Sequence, residues 1–338
     1  MVNFKYKLEK AGESKFFLTR SASFKGKHYK VRKYLGTTIP TEEEFRKNII
    51  DYSYELEIKA ADKVAQLACI YYDSVYLPKP VVMDIEKLRF LHNTYIASLN
   101  KTELAGYSES AETMYVHTTT AIEGNTLTYG DTWKLIKEGI IPEKKAAREI
   151  YEVLNYRKVK AYREKYIGNV NLKFILKVHS LIMDNINNEI AGVFRKADNV
   201  FIYGCDLIPT PSDLIEDELQ ELIYNYYNAI MSKKNPFEQA VLFHHRFEKI
   251  HPFTDGNGRT GREILNYMLA KEKYPRLIIP KESRELYISA MERGSDGFDI
   301  EMMKIFADLI LKGYARELAD IKNVIVPKGQ QKLNEFYD

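Results

Sequence analysis

The pattern of apolar and polar positions along the chain is mainly helical. Thr41-Glu-Glu-Glu44 is a capping box, and it begins a helical pattern that continues to about Tyr72. A second helix is expected from about Asp84 to Ser98. The same periodicity predicts further helices over residues 109–122, 130–138, 143–165, 172–184, 213–231, 236–248, 259–272, 283–293 and 299–315. The sequence therefore predicts a mainly α fold.

Two segments interrupt this pattern with β-favouring residues. Phe16–Thr19 and Tyr29–Leu35 flank the turn-like Lys25-Gly26-Lys27, which predicts a small β-hairpin near the N-terminus. Between Gly192 and Pro211, short β-favouring runs are broken by glycine and aspartate. We expect a second short hairpin there, lying between helices.

The composition is that of a globular protein with a substantial core. Of the 338 residues, 45% are hydrophobic, which suffices for one large domain or about two of ordinary size. No run of about 18 apolar residues occurs, and the basic start lacks the apolar stretch of a signal peptide. Cys69 and Cys205 are isolated, which argues against a disulfide framework. We expect a cytoplasmic protein that does not enter the membrane.

The positive charge is concentrated at the N-terminus. Residues 1–40 carry ten Lys or Arg and two acids, a net of +8, so the rest of the chain must sum to −5 for a total of +3. The predicted hairpin is therefore a basic appendage. It could be a solvated surface or could recruit an acidic target protein, and contact with nucleic acid ranks below recruitment.

The stretch from His251 to Arg262, HPFTDGNGRTGR, combines groups that suit phosphate chemistry. It is expected to join the end of one helix to the start of the next, where free backbone N–H groups bind anions. A neutral imidazole at His251 can accept a proton, and Asp255 can bind Mg²⁺ together with phosphate oxygens. Arg259 and Arg262 can bind outer phosphates through paired hydrogen bonds.

Other interpretations of this stretch fit less well. Gly256–Gly261 has the spacing G-x-G-x-x-G, but a dinucleotide fingerprint requires a preceding strand, and a helix is predicted there instead. A P-loop requires a Lys-Ser/Thr pair, which does not follow. Zinc binding by His244, His245 and His251 is disfavoured because neighbouring helical side chains point about 100° apart. A Gly-rich helix start with solvated arginines remains the purely structural alternative.

These residues resemble a known family. The run His251-Pro-Phe-x-Asp-Gly-Asn-Gly-Arg-x-x-Arg262 is similar to the signature of the Fic (Fido) family, which transfers AMP from ATP to protein hydroxyls. Thr119-x-x-x-Glu123-Gly124-Asn125 resembles the inhibitory motif of its class II type, which precedes the core. Gly192-Val-Phe-Arg195 and the following hairpin resemble its substrate flap. The resemblance covers about residues 90–315 and implies a Fic-type helical core.

The resemblance also implies a mechanism. His251 would be the general base on a Ser, Thr or Tyr hydroxyl of the target, with Asp255 holding Mg²⁺. Arg259 and Arg262 would bind the β and γ phosphates of ATP, the co-substrate. The nucleotide would further contact Gly256, Asn257, Gly258, Thr260 and Gly261. Phe253 would anchor the loop in the core, and His244 would be a structural histidine.

The resemblance assigns an inhibitory role to Glu123. Its carboxylate would pair with Arg262 and occupy the guanidinium that the γ-phosphate needs, with Thr119, Gly124 and Asn125 completing the motif. Alternatively, Glu123 is an exposed acid at a helix end, or it helps water remove AMP from a modified target. A non-catalytic nucleotide sensor is a further alternative, which the intact His251 disfavours.

The remaining expectations concern the target and the nucleotide base. In the flap, Phe201, Ile202, Tyr203 and Gly204 would border nucleotide and target, which could add as a strand. Tyr287 is either an adenine contact or a core tyrosine. The partners would be ATP and a protein substrate, with the chain itself as a candidate, and a homo-oligomer is left open. The chain is divided into residues 1–40 (basic β-hairpin appendage), 41–108 (N-terminal helical region), 109–125 (inhibitory helix and motif), 126–315 (Fic catalytic core) and 316–338 (C-terminal tail).

Overall fold

The computed structural model describes residues 6–198, 208–315 and 317–318, apart from the side chain of Arg46. They divide into two compact units. The first contains the described residues up to Ser74, Pro78–Ala105 and those from Leu311 onward, and the second contains Val75–Leu77 and the described part of Gly106–Ile310. The elements are strands β1 (Tyr6–Ala11), β2 (Lys15–Phe24) and β3 (Lys27–Gly36), and helices α1 (Glu42–Tyr71), α2 (Lys79–Ser98), α3 (Lys101–Ile122), α4 (Tyr129–Lys137), α5 (Ala147–Lys165), α6 (Leu172–Met183), α7 (Ile215–Met231), α8 (Pro236–Ile250), α9 (Asn257–Lys271), α10 (Arg284–Ser295) and α11 (Asp299–Gly313).

The first unit contains a three-stranded antiparallel sheet in the order β1-β2-β3. Lys25 and Gly26 connect β2 to β3 with φ values of 47° and 79°, the left-handed conformation that a two-residue hairpin turn requires. The predicted hairpin is therefore confirmed. Strand β1 was missed because its YKLEKA sequence is largely polar, and it pairs with β2 from Tyr6 opposite Arg20.

The sheet packs on α1. Tyr6 and Leu18 share an apolar cluster with side chains of that helix, among them Phe45. Beside it, the buried Glu57 carboxylate accepts hydrogen bonds from Tyr6 Oη at 2.9 Å and Arg20 Nε at 2.5 Å. Residues 6–36 therefore share a core with α1 and do not form the separate appendage that the charge pattern suggested.

The helix starts follow local capping chemistry. The predicted capping box of α1 is confirmed, since Thr41 Oγ1 accepts from Glu44 N–H and Glu44 Oε2 accepts from Thr41 N–H. Helix α2 begins five residues before Asp84, since a proline in its first turn is compatible with a helix start. Helix α3 begins eight residues before residue 109, because Asn100 caps Glu103 N–H at 2.9 Å. The other predicted helices are present with shifts of a few residues at their ends.

In the second unit, α8 and α9 position the loop of residues 251–256 between them. Asn235 caps α8, accepting from Phe237 N–H at 3.0 Å and Glu238 N–H at 3.2 Å. Both helices are largely buried, so residues 251–256 connect two fixed ends. Helices α3, α5, α6 and α10 supply the remaining side chains around this loop. In the part of the chain that the structure describes, no helix combines the length and apolarity needed to cross a membrane.

Candidate active site

The loop of residues 251–256 is held rigidly. His251 ends α8 with φ 51°, and Gly256 begins α9 with φ 78°, so both ends adopt left-handed backbone. Asn257 clamps the loop: its Oδ1 accepts from Phe253 N–H at 2.9 Å and its Nδ2 donates to Phe253 O at 2.7 Å. A left-handed non-glycine residue costs about 1–2 kcal/mol, and these contacts offset that cost.

Phe253 and His179 anchor the loop in the core. Phe253 is fully buried, as predicted, and its ring stacks on His179 with centroids 3.6 Å apart. His179 Nδ1 accepts from Gly192 N–H at 2.9 Å, so its Nε2 donates to the carbonyl of Asp255 at 2.9 Å. No motif indicated His179, which lies on α6.

The loop borders a cavity of about 260 Å³. His251, Arg262 and Glu123 meet there, together with the backbone at the start of α9. The cavity is lined by Ile122, Glu123, His245, Glu248, Lys249, His251, Thr254, Asp255, Gly256, Asn257, Gly258, Arg262, Arg284, Tyr287, Ile288 and Met291. The cavity is thus bordered by a helix N-terminus, several cations and a histidine. This arrangement suits a polyanionic ligand.

His251 is oriented for proton transfer. Its Nδ1 lies 3.3 Å from the carbonyl oxygen of Glu248, and because a carbonyl can only accept, Nδ1 carries the proton and Nε2 has the free lone pair. Burial lowers the pKa of His251 to about 4, with Arg195 also lowering it, against the effect of the Glu248 carbonyl. The imidazole is therefore neutral near pH 7 and can act as a base.

Arg195 fixes the backbone of this loop. Its Nε donates to His251 O at 2.8 Å, its Nη1 donates to Ala197 O at 2.8 Å, and its Nη2 donates to Thr210 O. The backbone N–H of Arg195 donates to Pro252 O at 3.0 Å. The segment Gly192–Arg195, which resembles the start of the flap, is therefore hydrogen-bonded to the backbone of His251 and Pro252.

We expect Arg195→Ala to lower the free energy of unfolding by about 3 kcal/mol, because a buried side chain is removed and the carbonyls of His251, Ala197 and Thr210 lose their donor. Urea unfolding followed by circular dichroism measures this loss. Arg157→Ala, which removes an exposed arginine from α5, should change stability by less than about 0.5 kcal/mol. Equal stability of the two variants would show that Arg195 does not hold the loop.

Asp255 is paired with two arginines. Its Oδ2 lies 2.6 Å from Arg148 Nη2, and its Oδ1 lies 3.1 Å from Arg259 Nη2 and accepts from Gly256 N–H at 2.6 Å. Burial alone would raise the pKa of Asp255, but Arg259 and Arg148 hold it below its ordinary range. The carboxylate is therefore ionised, and Arg148, whose side chain is 55% exposed, can leave it without being desolvated.

Arg259 does not line the cavity, contrary to the role suggested by the motif. Its guanidinium is 2% exposed and lies between Asp255 and Glu152, with Nη1 3.1 Å from Glu152 Oε1. Glu152 Oε2 in turn accepts from Asn125 Nδ2 at 2.9 Å. Asn125, Glu152 and Arg259 thus form a buried chain of polar contacts that ends at Asp255. No motif indicated Glu152.

The pair expected between Glu123 and Arg262 is present. Glu123 Oε1 lies 2.6 Å from Arg262 Nη2, while Arg262 Nε donates to Thr119 Oγ1 at 2.9 Å and Nη2 also donates to Thr119 O at 3.0 Å. Gly124 ends the α3 turn with φ 99°. Burial opposes ionisation of Glu123, but Arg262 and Arg259 hold its pKa below the ordinary range. Glu123 therefore occupies one edge of the Arg262 guanidinium.

The remaining predicted contacts divide into three groups. Gly258 borders Glu123 and Arg262 so closely that a Cβ would collide with the glutamate. Thr260 and Gly261 are buried on α9, where Gly261 allows close packing against α8, so neither lines the cavity. Ile202, Tyr203 and Gly204, with Phe201, lie outside the described residues.

Tyr287 and His244 are paired in the floor of the cavity. Tyr287 lines it and is also buried, and its Oη lies 2.8 Å from Nε2 of the fully buried His244. Tyr287 is therefore a buried tyrosine whose side chain also borders the cavity. The cavity also contains side chains that no motif indicated, namely Glu248, Lys249, Arg284, Ile288 and Met291.

Comparison with known proteins agrees with this geometry. Residues 169–269 match the model of the Fic/DOC family. The chain is 27% identical over 222 residues to protein adenylyltransferase fic-1 of Caenorhabditis briggsae, covering 63% of this chain and 43% of that protein. It is 29% identical over 198 residues to protein adenylyltransferase Fic of Drosophila mojavensis, covering 57% and 39%. The chain thus spans less than half the length of these relatives.

Solved structures share the fold. A fragment of Fic-1 from Caenorhabditis elegans superposes with a TM-score of 0.61 at 22% identity, covering 84% of this chain and 90% of that one. A Fic domain containing signaling protein from Bacteroides thetaiotaomicron gives a TM-score of 0.60 at 21% identity, covering 70% and 97%. The chain therefore has the fold of Fic-domain proteins, and its residues 169–269 are similar to the Fic/DOC family.

Proposed function

We propose that the protein is an adenylyltransferase that moves AMP from ATP to a Ser, Thr or Tyr hydroxyl of a protein. The observation that carries the proposal is the cavity in which the free Nε2 of His251, the start of α9 and the Arg262 guanidinium come together. Relatives named protein adenylyltransferase support the choice of reaction.

In this reaction His251 Nε2 takes the proton of the target hydroxyl as its oxygen attacks the α-phosphorus. A phosphorus–oxygen bond to the target forms, the bond between the α-phosphorus and its bridging oxygen breaks, and pyrophosphate leaves. Backbone N–H groups at the start of α9 stabilise the α-phosphate, and Arg262 binds the outer phosphates. Arg259 acts through Asp255, which it holds in place.

The donor set fits Mg²⁺ as the accompanying ion. Asp255 offers one ionised carboxylate at the edge of the cavity, and Mg²⁺ is usually held by one or two carboxylates with phosphate oxygens and water. The ion would neutralise phosphate charge. Arg148 must release Oδ2 for this contact, and its exposure permits that movement.

Glu123 inhibits the reaction in this proposal. With its carboxylate 2.6 Å from Arg262, the guanidinium is already neutralised, and a γ-phosphate would have to compete for it. ATP would then bind with its α-phosphate misaligned relative to His251. Glu123 and Arg262 belong to one chain, so the inhibition is intramolecular.

The position of Glu123 also supports a second candidate activity. Its carboxylate lines the same cavity as His251, so it could orient water to remove AMP from a modified target. Wild-type protein added to labelled Glu123→Gly protein would then accelerate the release of AMP. Unchanged release would exclude this activity toward that substrate.

The position of the label in ATP tests the proposed reaction. The Glu123→Gly variant is incubated with Mg²⁺ and ATP labelled at either the α or the γ phosphorus, and label on denatured protein is counted. Retention of α label alone supports AMP transfer to the chain itself or to an added protein. Retention of γ label would indicate phosphorylation, and retention of neither, with ATP still bound, would indicate a nucleotide sensor.

A further inference from the structure

Glu248 is an acidic side chain in the cavity that the proposed reaction does not use. It lies on α8, three residues before His251, and lines the cavity together with His251 and Arg262. Its side chain is 14% exposed. A carboxyl buried beside a proposed phosphate site needs a physical explanation.

The Glu248 carboxyl is held by packing and not by hydrogen bonds. Its Oε1 is buried and has no hydrogen-bond partner among the described residues. His244 Nδ1 is 3.9 Å away, too far for a hydrogen bond. The oxygen packs against Gly261 so closely that a Cβ there would collide with it. An ionised carboxylate with one oxygen buried and without a donor is costly, so this packing favours a neutral carboxyl, and the other oxygen, Oε2, is the one left for a ligand in the cavity.

The surroundings favour the neutral form of Glu248. The charged and titratable groups that line the cavity with it are Glu123 after α3, His245 and Lys249 on α8, His251 and Asp255 in the loop, Arg262 on α9, and Arg284 and Tyr287 on α10, and His244 Nδ1 lies 3.9 Å from its Oε1. Burial raises the pKa of Glu248 to about 8, opposed by Arg262 and assisted by Glu123. A neutral carboxyl has an O–H group that must donate to an acceptor.

We propose that the Glu248 carboxyl donates a hydrogen bond to an anionic oxygen of the nucleotide, which makes it a further binding residue of the cavity. The other cavity groups around it include the cations Arg262, Arg284 and Lys249, which suit an anion. A carboxyl that stays neutral near pH 7 contributes a donor without adding negative charge. The inference rests on the proposed function for the identity of the ligand.

This role gives nucleotide binding a specific pH dependence. The donor is present below about pH 8 and is lost as the pH rises through that value, when a carboxylate would instead face the phosphate. One pH unit above, only about a tenth of the carboxyl is protonated, so affinity should fall roughly tenfold. A glutamine would keep an N–H donor and would not titrate.

Isothermal titration of ATP with Mg²⁺ into wild type, Glu248→Gln and Glu248→Ala tests the proposal between about pH 7 and about pH 9. Near pH 7 we expect Glu248→Gln to bind nearly as well as wild type and Glu248→Ala to bind roughly tenfold more weakly. As the pH rises toward 9, any change in affinity that does not involve Glu248 should appear in all three proteins. Only wild type should show a further loss of affinity. Thermal unfolding of each variant verifies folding.

Each other outcome has a distinct meaning. If all three proteins bind ATP with the same affinity and pH dependence, the Glu248 inference is wrong and the proposed function is unaffected. A loss of stability in both variants without a change in the pH dependence of binding would mean that the Glu248 carboxyl supports the fold and does not bind the nucleotide, which also overturns the inference. If wild type binds no ATP at any pH, the proposed function itself fails.

Discussion

Glu123→Gly is expected to raise AMP transfer by on the order of 30-fold. Removing the carboxylate frees the edge of Arg262 that Glu123 occupies at 2.6 Å, while the two contacts of Arg262 with Thr119 still orient the guanidinium. A hydrogen bond between charged groups is worth about 2 kcal/mol, which corresponds to roughly this factor in rate. Transfer of α label from ATP to protein, followed as an initial rate, measures the effect.

The chain provides a matched control for this substitution. Glu138 follows α4 and precedes Gly139, as Glu123 follows α3 and precedes Gly124, and Glu138 is exposed. Glu138→Gly makes the same chemical change at the same position relative to a helix end, and we expect no increase in rate. An equal increase in both variants would mean that loosening a helix end, and not release of Arg262, activates the protein. Unchanged rates in Glu123→Gly, with folding intact, would contradict the inhibitory role.

Much of the site could be predicted because its residues are contiguous. His251, Asp255 and Arg262 lie within one short run, so their local chemistry and their place between two helices were accessible from the sequence. The pairing of Glu123 with Arg262 was accessible only through resemblance to a family. No periodicity or propensity relates two residues 139 positions apart, and only the packing of α3 beside α9 brings them together.

For other residues the structure shows contacts that the motif does not indicate. A motif shows which residue types occur but not which way a helix turns them: α9 directs Arg262 to the cavity and Arg259 to Glu152, two groups only three positions apart. Asn257 lines the cavity, and both ends of its amide also bind the backbone of Phe253. These distinctions depend on tertiary packing, which the sequence pattern does not contain.

The fold was predictable where local signals are strong and less so where they are weak. Capping at Thr41 fixed the start of α1, and the Lys25-Gly26 turn fixed the β2–β3 hairpin. Strand β1 has a mostly polar sequence and is stabilised by pairing with β2 and by the contact of Tyr6 with Glu57. Such a strand depends on partners distant in sequence, so its own residues do not reveal it.

His251→Ala, introduced into the Glu123→Gly variant, should abolish most of its AMP transfer. In the double variant no group replaces Nε2 as the acceptor of the hydroxyl proton, and general-base catalysis typically contributes a factor of about a hundred to ten thousand. We expect a loss of roughly a thousandfold relative to Glu123→Gly, with ATP binding retained because the phosphates are held by Arg262 and the start of α9. Initial rates of label transfer and titration of ATP measure the two quantities separately.

The acid side of the pH profile tests the same assignment without removing the histidine. Burial lowers the pKa of His251 to about 4 from its ordinary 6.5, so its basic form should persist as the pH falls through 6.5 and be lost only near pH 4. The rate of Glu123→Gly should therefore not halve near pH 6.5 on account of this group. The control for the substitution of His251 is His117→Ala, which removes a half-buried histidine on α3 outside the cavity. In the Glu123→Gly background it should leave the rate within about twofold. A rate that halves near pH 6.5 would contradict the lowered pKa of His251. Equal losses of rate in His251→Ala and His117→Ala would contradict its role as the general base.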